Sequence, residues 1–361
     1  MTRILAILAL LAGFAPAAQA LETSAGTLRV EQVASGFDTP WAIGFLPDQG
    51  FLVTEKRGRL WLVQEGEARQ VTGLPDIHVE GQGGLLDVLV PRDFASTREI
   101  FLTHAIRQPQ GSGTALSRGT LSSDGTRLEN VETLFQMAPG TSGGRHYGSR
   151  LAEGPEGHLF MTIGERGDRP AAQDLSRHNG SVIRLNRDGT VPDDNPFVGE
   201  TGAQPEVWSY GHRNPQGMAM DETGTIWVSE HGARGGDEVN RIDRGANYGW
   251  PVISYGRHYS GARIGEGTEK SGMAQPVHYW DPSIAPSGMA FYDGTVADWQ
   301  GDAFVGSLKF DYISRLSGDP LQEVEQIKSP ETARVRDVRI GPDGALWFVS
   351  EDRGAVFRIV E

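Results

Sequence analysis

Short apolar runs of four to seven residues, separated by Gly, Pro and Asp, recur along the whole chain. The unit that repeats is an apolar run, a turn rich in Pro, Asp, Glu and Gly, and a second apolar run. In the first copy the turn Leu46-Pro-Asp-Gln-Gly50 separates Trp41–Phe45 from Phe51–Val53. Such runs and turns predict β-strands, and no segment shows a convincing helical period.

Six copies of this unit occur, at spacings of roughly 40–80 residues, which is typical of repeat architectures. They begin at Trp41, Gly84, Ser149, Gly217, Gly288 and Asp337. Each copy has room for a four-stranded blade, so the sequence predicts an all-β, six-bladed β-propeller. A strand at Thr27–Val33 would complete the last blade beside Val356–Val360. An open β-solenoid is the alternative, although its turns would be shorter and more regular.

The N-terminus has the pattern of a cleavable signal peptide. Arg3 precedes the apolar core Ile4–Phe14, and Ala18-Gln19-Ala20 is a small-x-small cleavage site. The apolar run is shorter than the about 20 residues that span a bilayer. We therefore expect a signal peptide at 1–20, a single propeller domain at 21–361, export to the periplasm and no membrane insertion. Because the chain has no Cys, disulfides, thiolate sites and a lipid-modified cysteine are excluded.

The charge balance narrows the possible partners. Removing the leader takes one Arg from the 33 basic residues and none of the 47 acids, so the net charge changes from −14 to −15. A surface of this sign repels nucleic acid and anionic lipid. An anionic ligand would therefore need a local basic cluster.

The phase of the repeat predicts where such a cluster lies. In a propeller, the first strand of each blade runs from one face to the other and the second strand returns. Residues just before first strands and just after second strands therefore share one face, the mouth face. These are Gln82, His146, 213–216, 283–286, Arg334 and Arg336, then Glu165, Arg166, 230–232, Lys309, Glu351 and Asp352. The turns on the other face are ordinary tight turns.

Four cations from separate segments fall on the mouth face: Arg213, Lys309, Arg334 and Arg336. Clustered cations repel one another, so they indicate either a multivalent anion or interleaved carboxylates. Salt bridges within the fold are the simpler interpretation for any single one of them.

Several motifs in these segments resemble a known family. They are Gly81-Gln-Gly-Gly-Leu-Leu86, His146-Tyr-Gly-Ser-Arg-Leu151, Gly211-His-Arg-Asn-Pro-Gln-Gly217, Glu230-His-Gly232, Asn247-Tyr-Gly-Trp-Pro251, Ile284-Ala-Pro-Ser287 and Ser307-Leu-Lys309. Together they look like the soluble aldose sugar dehydrogenases, which belong with the glucose and sorbosone dehydrogenases that use pyrroloquinoline quinone (PQQ). The resemblance extends from about Gly36 to the C-terminus.

This resemblance implies a propeller with PQQ and Ca²⁺ at the channel mouth. Such enzymes oxidise the anomeric hydroxyl of an aldose to a lactone and pass electrons to an external acceptor. By motif, His146 would be the base and Arg213 would face the quinone oxygen that gains charge. The residues that would hold PQQ are Gln82, Arg213, Asn214, Gln216, Lys309, Arg334 and Arg336.

The resemblance also implies two calcium ions. Carbonyl groups of Gly232 and Ala233 would bind the ion associated with the cofactor, and Glu238 with Tyr248 would bind a structural ion. An acidic, Gly-rich loop offers the oxygen ligands that calcium prefers. The alternative is that 235–238 is only a polar turn.

Two departures from the family pattern matter. Arg145 precedes the expected base where the glucose dehydrogenases carry an acid, so an orienting carboxylate comes from elsewhere or is absent. The chain also lacks their long insertions, which favours the broad-specificity aldose branch and a monomer over a dimer.

Two other functions fit a propeller. A metal-dependent sugar lactonase would place carboxylate and Asn side chains on a central metal, whereas this mouth is rich in Arg and Lys. A non-catalytic propeller that binds glycans or proteins would leave the cations around His146 without a role.

Overall fold

The computed structural model describes residues 19–48 and 50–361 and is built almost entirely of strands. The predicted signal peptide, apart from its last two residues, lies outside the described residues. The strands form six antiparallel sheets arranged as the blades of a β-propeller, which confirms the predicted fold class. No helix in these residues is long and apolar enough to cross a bilayer.

The blades follow one another in chain order. The chain opens with β1 (Gln19–Thr23) and β2 (Gly26–Ser35). Blade one contains β3 (Pro40–Phe45), β4 (Phe51–Glu55), β5 (Arg59–Gln64) and β6 (Glu67–Val71); blade two contains β7 (Leu85–Leu89), β8 (Glu99–Gln108), β9 (Gly111–Leu121) and β10 (Leu128–Gln136). Blade three contains β11 (Leu151–Glu153), β12 (Leu159–Ile163), β13 (Ser181–Leu185) and β14 (Val207–Tyr210); blade four contains β15 (Pro215–Met220), β16 (Ile226–Glu230), β17 (Asp237–Ile242) and β18 (His278–Trp280). Blade five contains β19 (Pro286–Phe291), β20 (Ala303–Ser307), β21 (Ile313–Ser317) and β22 (Gln322–Ile327).

Blade six joins the two ends of the chain. It contains β23 (Val335–Ile340), β24 (Leu346–Ser350) and β25 (Ala355–Val360), and β25 pairs with β2 in a register that places Val30 opposite Ile359. The expected closure by the N-terminal strand is therefore confirmed. The ring is closed in this way, and β1 pairs with β2 as the outer strand of the same sheet. The open solenoid is excluded.

Helical structure is confined to the connections. One helical turn, α1, spans Phe94–Thr97, and short 3₁₀ turns span Arg169–Gln173, Ala297–Trp299 and Pro330–Thr332.

The second strands of the blades form much of the core. All five residues of β4, β12 and β24 are buried, because each blade packs between two neighbours. Strands that are covered on both faces read as continuous apolar runs rather than alternating ones. This packing explains why the second half of each sequence repeat is so apolar.

A buried ion network fills the centre of the channel. The Arg150 guanidinium lies 2.8 Å from an oxygen of Asp337 and 3.4 Å from one of Asp87, and Arg339 pairs with both carboxylates. Arg150 also donates to the Gln216 carbonyl and lies 4.3 Å from the centroid of the Trp41 ring. Since these partners come from different blades, the network ties the blades together and closes the channel below the mouth.

Candidate active site

A cavity of about 150 Å³ lies at the channel mouth, above this ion network. Side chains from all six blades or their connections line it: Trp41, Lys56, Gln82, Leu86, Tyr147, Asn214, Gln216, His231, Ala285, Leu308, Arg334, Arg336 and Glu351. Five of the predicted site residues are among them, namely Gln82, Asn214, Gln216, Arg334 and Arg336.

A larger cavity of about 760 Å³ opens at the opposite end of the channel. Its polar lining consists mainly of turn residues such as Asp221 and Glu222, and of Arg339, which is already paired with two carboxylates. The cavity at the opposite end is the larger candidate site. The mouth is the better candidate by its chemistry, because several polar groups converge there without being fully paired.

His146 directly precedes Tyr147, which lines the mouth cavity, but is not itself part of the lining. Its ring Nδ1 lies 2.5 Å from a carboxylate oxygen of Glu165, and its backbone N–H donates to the side chain of Gln82 at 2.7 Å. The residue has a left-handed backbone with φ of 54°. Such a conformation is strained for a residue with a side chain and persists where surrounding contacts impose it. The orienting carboxylate that the sequence left open is therefore Glu165.

The protonation state of this pair follows from its surroundings. Burial lowers the pKa of His146 below its ordinary value, Glu165 opposes that effect, and the charges of Arg213 and Arg145 add to it. Burial would raise the pKa of Glu165, but its bond and charge interaction with His146 outweigh burial and lower it. The lowered pKa of His146 favours the neutral form of its ring, and because Glu165 holds Nδ1, Nε2 is the ring nitrogen without a partner in the described residues.

Arg213 lies close to His146 and is 7% exposed. Its backbone N–H donates to Glu230 at 2.8 Å, and its guanidinium donates to the His231 carbonyl and lies 5.3 Å from the centroid of Trp250. The buried Nε has no partner among the described residues. A buried donor without a partner is costly, which indicates that a ligand atom completes it.

Arg334 and Arg336 share one carboxylate. Arg334 Nε donates to Glu351 at 2.9 Å, and Arg336 Nε donates to the other oxygen of Glu351 at 2.7 Å. Burial would raise the pKa of Glu351, but the two arginines outweigh it and lower the pKa to about 2. One negative charge therefore faces two positive ones, which leaves an excess positive charge at the cavity wall.

The neutral predicted residues form a small network below these cations. Gln216 donates to the Gly148 carbonyl and accepts a bond from Arg336 at 3.2 Å. Asn214 accepts from the Gly148 N–H at 3.2 Å. Lys309 does not line the cavity but follows Leu308, which does, and its exposed amine lies 4.7 Å from the Phe310 ring centroid.

Two of the cavity residues for which the sequence predicted no role are Lys56 and His231. Lys56 lines the cavity, and burial lowers the pKa of its amine. It directly follows β4, so the same rule of repeat phase, applied to the first copy, would have found it. His231 was placed on this face without a role. Its Nε2 is buried without a partner, and burial, then Arg213 and Arg336, lower the pKa of the ring well below its ordinary value.

The backbone carbonyls of Gly232 and Ala233 accept no hydrogen bond within the described residues. Gly232 is required here, because a Cβ at this position would lie 2.2 Å from the Gly236 carbonyl oxygen. In residues 19–48 and 50–361, no group of three or more His, Asp or Glu could hold a metal. A cation at this point would therefore depend on carbonyl and ligand oxygens, which calcium accepts.

Glu238 and Tyr248 lie in a second polar cluster under blade four. Asn240 Nδ2 bridges the carboxylates of Glu230 and Glu238 at 2.9 and 3.2 Å, while Asn240 Oδ1 is buried without a partner. Burial and then the charge of Glu230 raise the pKa of Glu238 well above its ordinary value. The Tyr248 hydroxyl is occupied by the Arg241 carbonyl and the Asp243 N–H, so only its own carbonyl is free to bind an ion. An orphaned oxygen beside two repelling carboxylates fits a cation.

Taken together, fold and mouth define a six-bladed propeller with a carboxylate-bound imidazole beside a cationic cavity. The family model described as Glucose / Sorbosone dehydrogenase matches residues 37–358. Aldose sugar dehydrogenase YliI of Escherichia coli is 43% identical over 343 residues, which cover 92% of each chain. The chain therefore belongs to the glucose/sorbosone dehydrogenase family.

Two solved structures extend this result. The apo-form of the soluble aldose sugar dehydrogenase from Escherichia coli matches with a TM-score of 0.89 and 42% identity, over 92% of this chain and 99% of that one. The PQQ-bound form of aldose sugar dehydrogenase from Streptomyces coelicolor matches with a TM-score of 0.76 and 27% identity, over 92% and 97%.

Proposed function

We propose that this protein is a PQQ- and Ca²⁺-dependent aldose sugar dehydrogenase that oxidises the anomeric hydroxyl to a lactone and passes the electrons to an external acceptor. The observation that carries the proposal is one geometry: the imidazole of His146, bonded to the Glu165 carboxylate and close to Arg213, adjoins the cavity that Arg334 and Arg336 line. The family supplies the reaction type, and the PQQ named for the Streptomyces coelicolor structure supplies the cofactor.

The residues present fit a cofactor that carries three carboxylates. Arg334 and Arg336 share one carboxylate between two charges, and Lys56 and Lys309 have none within 4.0 Å in the described chain. We assign Arg334, Arg336, Lys309 and the newly found Lys56 to the carboxylates of PQQ. Gln82, Asn214 and Gln216 would provide neutral hydrogen bonds.

Two side chains of this protein would take part in the chemistry: one accepts a proton and the other supplies a positive charge. PQQ, when bound, supplies the quinone that accepts the hydride equivalent from the anomeric carbon. His146 takes the hydroxyl proton at Nε2, because Nδ1 is held by Glu165. Glu165 keeps the ring oriented and stabilises the imidazolium that forms. Arg213, whose buried Nε has no partner among the described residues, would stabilise the negative charge that develops on the quinone.

Calcium would have two positions. The free carbonyls of Gly232 and Ala233 would hold the ion that accompanies the cofactor. Glu238, through its carboxylate, and Tyr248, through its carbonyl, would hold the second ion, which relieves the repulsion between Glu230 and Glu238. We further propose that the protein acts in the periplasm as a monomer, after cleavage behind Ala20, without nucleic-acid or membrane partners.

Reconstitution tests this function directly. Purified protein, stripped of metal, is titrated with PQQ in the presence and absence of Ca²⁺, and dye reduction by glucose and other aldoses is followed. The proposal expects aldose-dependent dye reduction that requires both additions. Hydrolysis of a sugar lactone without PQQ would instead identify a lactonase, and sugar binding with neither reaction would identify a non-catalytic propeller.

A further inference from the structure

Three arginines lie side by side on a small β-arm beside the mouth. The backbones of Arg234 and Arg257 exchange two hydrogen bonds of 3.0 Å each, and Arg257 in turn pairs with Arg263. Residues directly opposite one another in antiparallel pairs point to the same side. All three residues are exposed. We call Arg234, Arg257 and Arg263 the arginine ladder.

The ladder carries charge that the fold does not neutralise. Like charges directly opposite on neighbouring strands are destabilising. Nevertheless, none of the three guanidinium groups has a carboxylate oxygen within 4.0 Å in the described residues. Acids are not scarce, since the chain has 47 of them. A single exposed arginine can find a partner in this protein, as Arg57 does with Asp38 at 2.6 Å.

The ladder is connected to the mouth. Arg234 follows the free carbonyls of Gly232 and Ala233, and His258, next to Arg257, accepts a hydrogen bond from Arg169 at 2.8 Å. Arg169 and Arg213 both lie within 5.5 Å of the Trp250 ring centroid. The ladder therefore extends the positive charge of the mouth outward along the rim.

The mouth is also the side from which electrons must leave. The buried network of Arg150, Asp87 and Asp337 closes the channel below the cavity. A cavity of about 150 Å³ cannot admit a protein. A protein that collects electrons from this cavity must therefore dock on the rim, and electron-transfer encounters of this kind use small surfaces guided by charge.

We propose that the arginine ladder is the docking surface for an electron-accepting protein with an acidic face. The inference rests on the proposed function. Each turnover removes two electrons and two protons from the aldose; the protons pass to solvent and the electrons to two acceptor molecules that each take one. The ladder guides the acceptor and has no part in cofactor or sugar binding.

The test uses the PQQ- and Ca²⁺-loaded protein and a triple variant, Arg234→Gln, Arg257→Gln and Arg263→Gln. The matched control, Arg69→Gln, Arg127→Gln and Arg241→Gln, removes the same charge from exposed positions away from the mouth. Stopped-flow measurements follow the reoxidation of aldose-reduced protein by plastocyanin, an acidic protein, and by cytochrome c, a basic one, at low and high salt. PQQ affinity and reduction by aldose are measured in the same samples.

At low salt, plastocyanin should reoxidise the reduced ladder variant at least about tenfold more slowly than the parent protein. The rate for the variant should also lose most of its dependence on salt concentration. The control variant should react with plastocyanin at the parent rate, and the ladder variant should show no such decrease with cytochrome c. Unchanged plastocyanin rates in the ladder variant would overturn the proposal. A second contrary outcome is that the parent protein sediments with phosphatidylglycerol vesicles and the ladder variant does not, while both react with plastocyanin at the same rate. That outcome would assign the ladder to a membrane surface.

A second measurement separates this inference from the proposed function. Plastocyanin is titrated into isotopically labelled protein without PQQ, and chemical-shift changes are followed at low salt. Shifts confined to the rim and lost in the ladder variant support the docking surface even if no aldose is oxidised. An absence of shifts at the rim contradicts it even if the enzyme is active.

Discussion

The two faces of the propeller are built by different means. On the face opposite the mouth, short turns fix themselves with local bonds. Asp221 accepts hydrogen bonds from the N–H groups of Thr223 and Thr225 and from the indole of Trp227, all within six residues. Asp343 binds Ala345 and Trp347 in the same way. Such turns are held mainly by bonds within a few residues, although Asp343 also accepts a bond from Arg358 at 2.8 Å.

The mouth face depends on distant partners. Among the described residues, seven of the ten non-glycine residues with positive φ lie there: Thr39, His146, Ser149, Arg166, Ala285, Asp311 and Arg334. Their conformations are imposed by remote contacts, as when Gln82 holds the N–H of His146. Strained backbone that is held by tertiary contacts is typical of functional sites. The comparison indicates that the mouth is shaped for chemistry and the other face for folding.

The largest effect is expected at the base. His146→Gln should still bind PQQ and Ca²⁺ but reduce the bound cofactor about 10²–10⁴-fold more slowly, because a positioned general base contributes that factor. Stopped-flow reduction by an aldose, with occupancy measured from the cofactor spectrum, gives the answer. Reduction at the parent rate would remove His146 as the base, and failure to take up PQQ would move it to the cofactor-binding set.

The next effect is expected at the anion-binding wall. Arg336→Ala removes a charge-assisted bond of about 1.5–3 kcal/mol, so PQQ affinity should fall about ten- to a hundredfold. Titration of the apo-protein with PQQ measures this, with Arg69→Ala as a control for lost charge far from the mouth. Equal affinity in the parent and Arg336→Ala proteins would place Arg336 outside the cofactor site.

Glu165→Gln should produce a smaller rate loss, about tenfold, because the amide oxygen still accepts a bond from Nδ1 but no longer carries charge. The pH profile should also move. Burial already lowers the pKa of His146, and Glu165 opposes that effect. Removing the carboxylate charge lowers the pKa further, so the acid limb of kcat/KM should shift to lower pH. A shift to higher pH would contradict the assigned pair.

The smallest effect tests the opposite face. Asp221→Ala breaks the local bonds of one turn and should cost about 1–2 kcal/mol of stability, since each bond contributes about 1 kcal/mol and water replaces part of them. Thermal unfolding should show a lower Tm, while PQQ affinity and kcat stay at the parent values. A large loss of activity at unchanged Tm would mean that the two faces are coupled.

The sequence alone determined the blades, their number, the closure by the N-terminal strand and the face on which the charged and polar side chains gather. These follow from local patterns: apolar runs, turn residues and a phase that repeats six times. The motifs also identified the family, because together they occur along the chain in the order typical of that family.

Only the tertiary structure decided which side chains meet. Glu165 and His146 belong to different segments, and no local signal pairs them. Lys56 directly follows the apolar strand β4 and lines the cavity. The arginine ladder forms because the long connection between β17 and β18 of blade four passes beside Arg234. The repeat phase places His146, Glu165 and Lys56 on one face but does not say which of them touch, and the ladder joins residues whose sequence separation is unrelated to the repeat. A local pattern fixes where a strand begins and ends, whereas contacts between segments depend on how the blades pack around the axis.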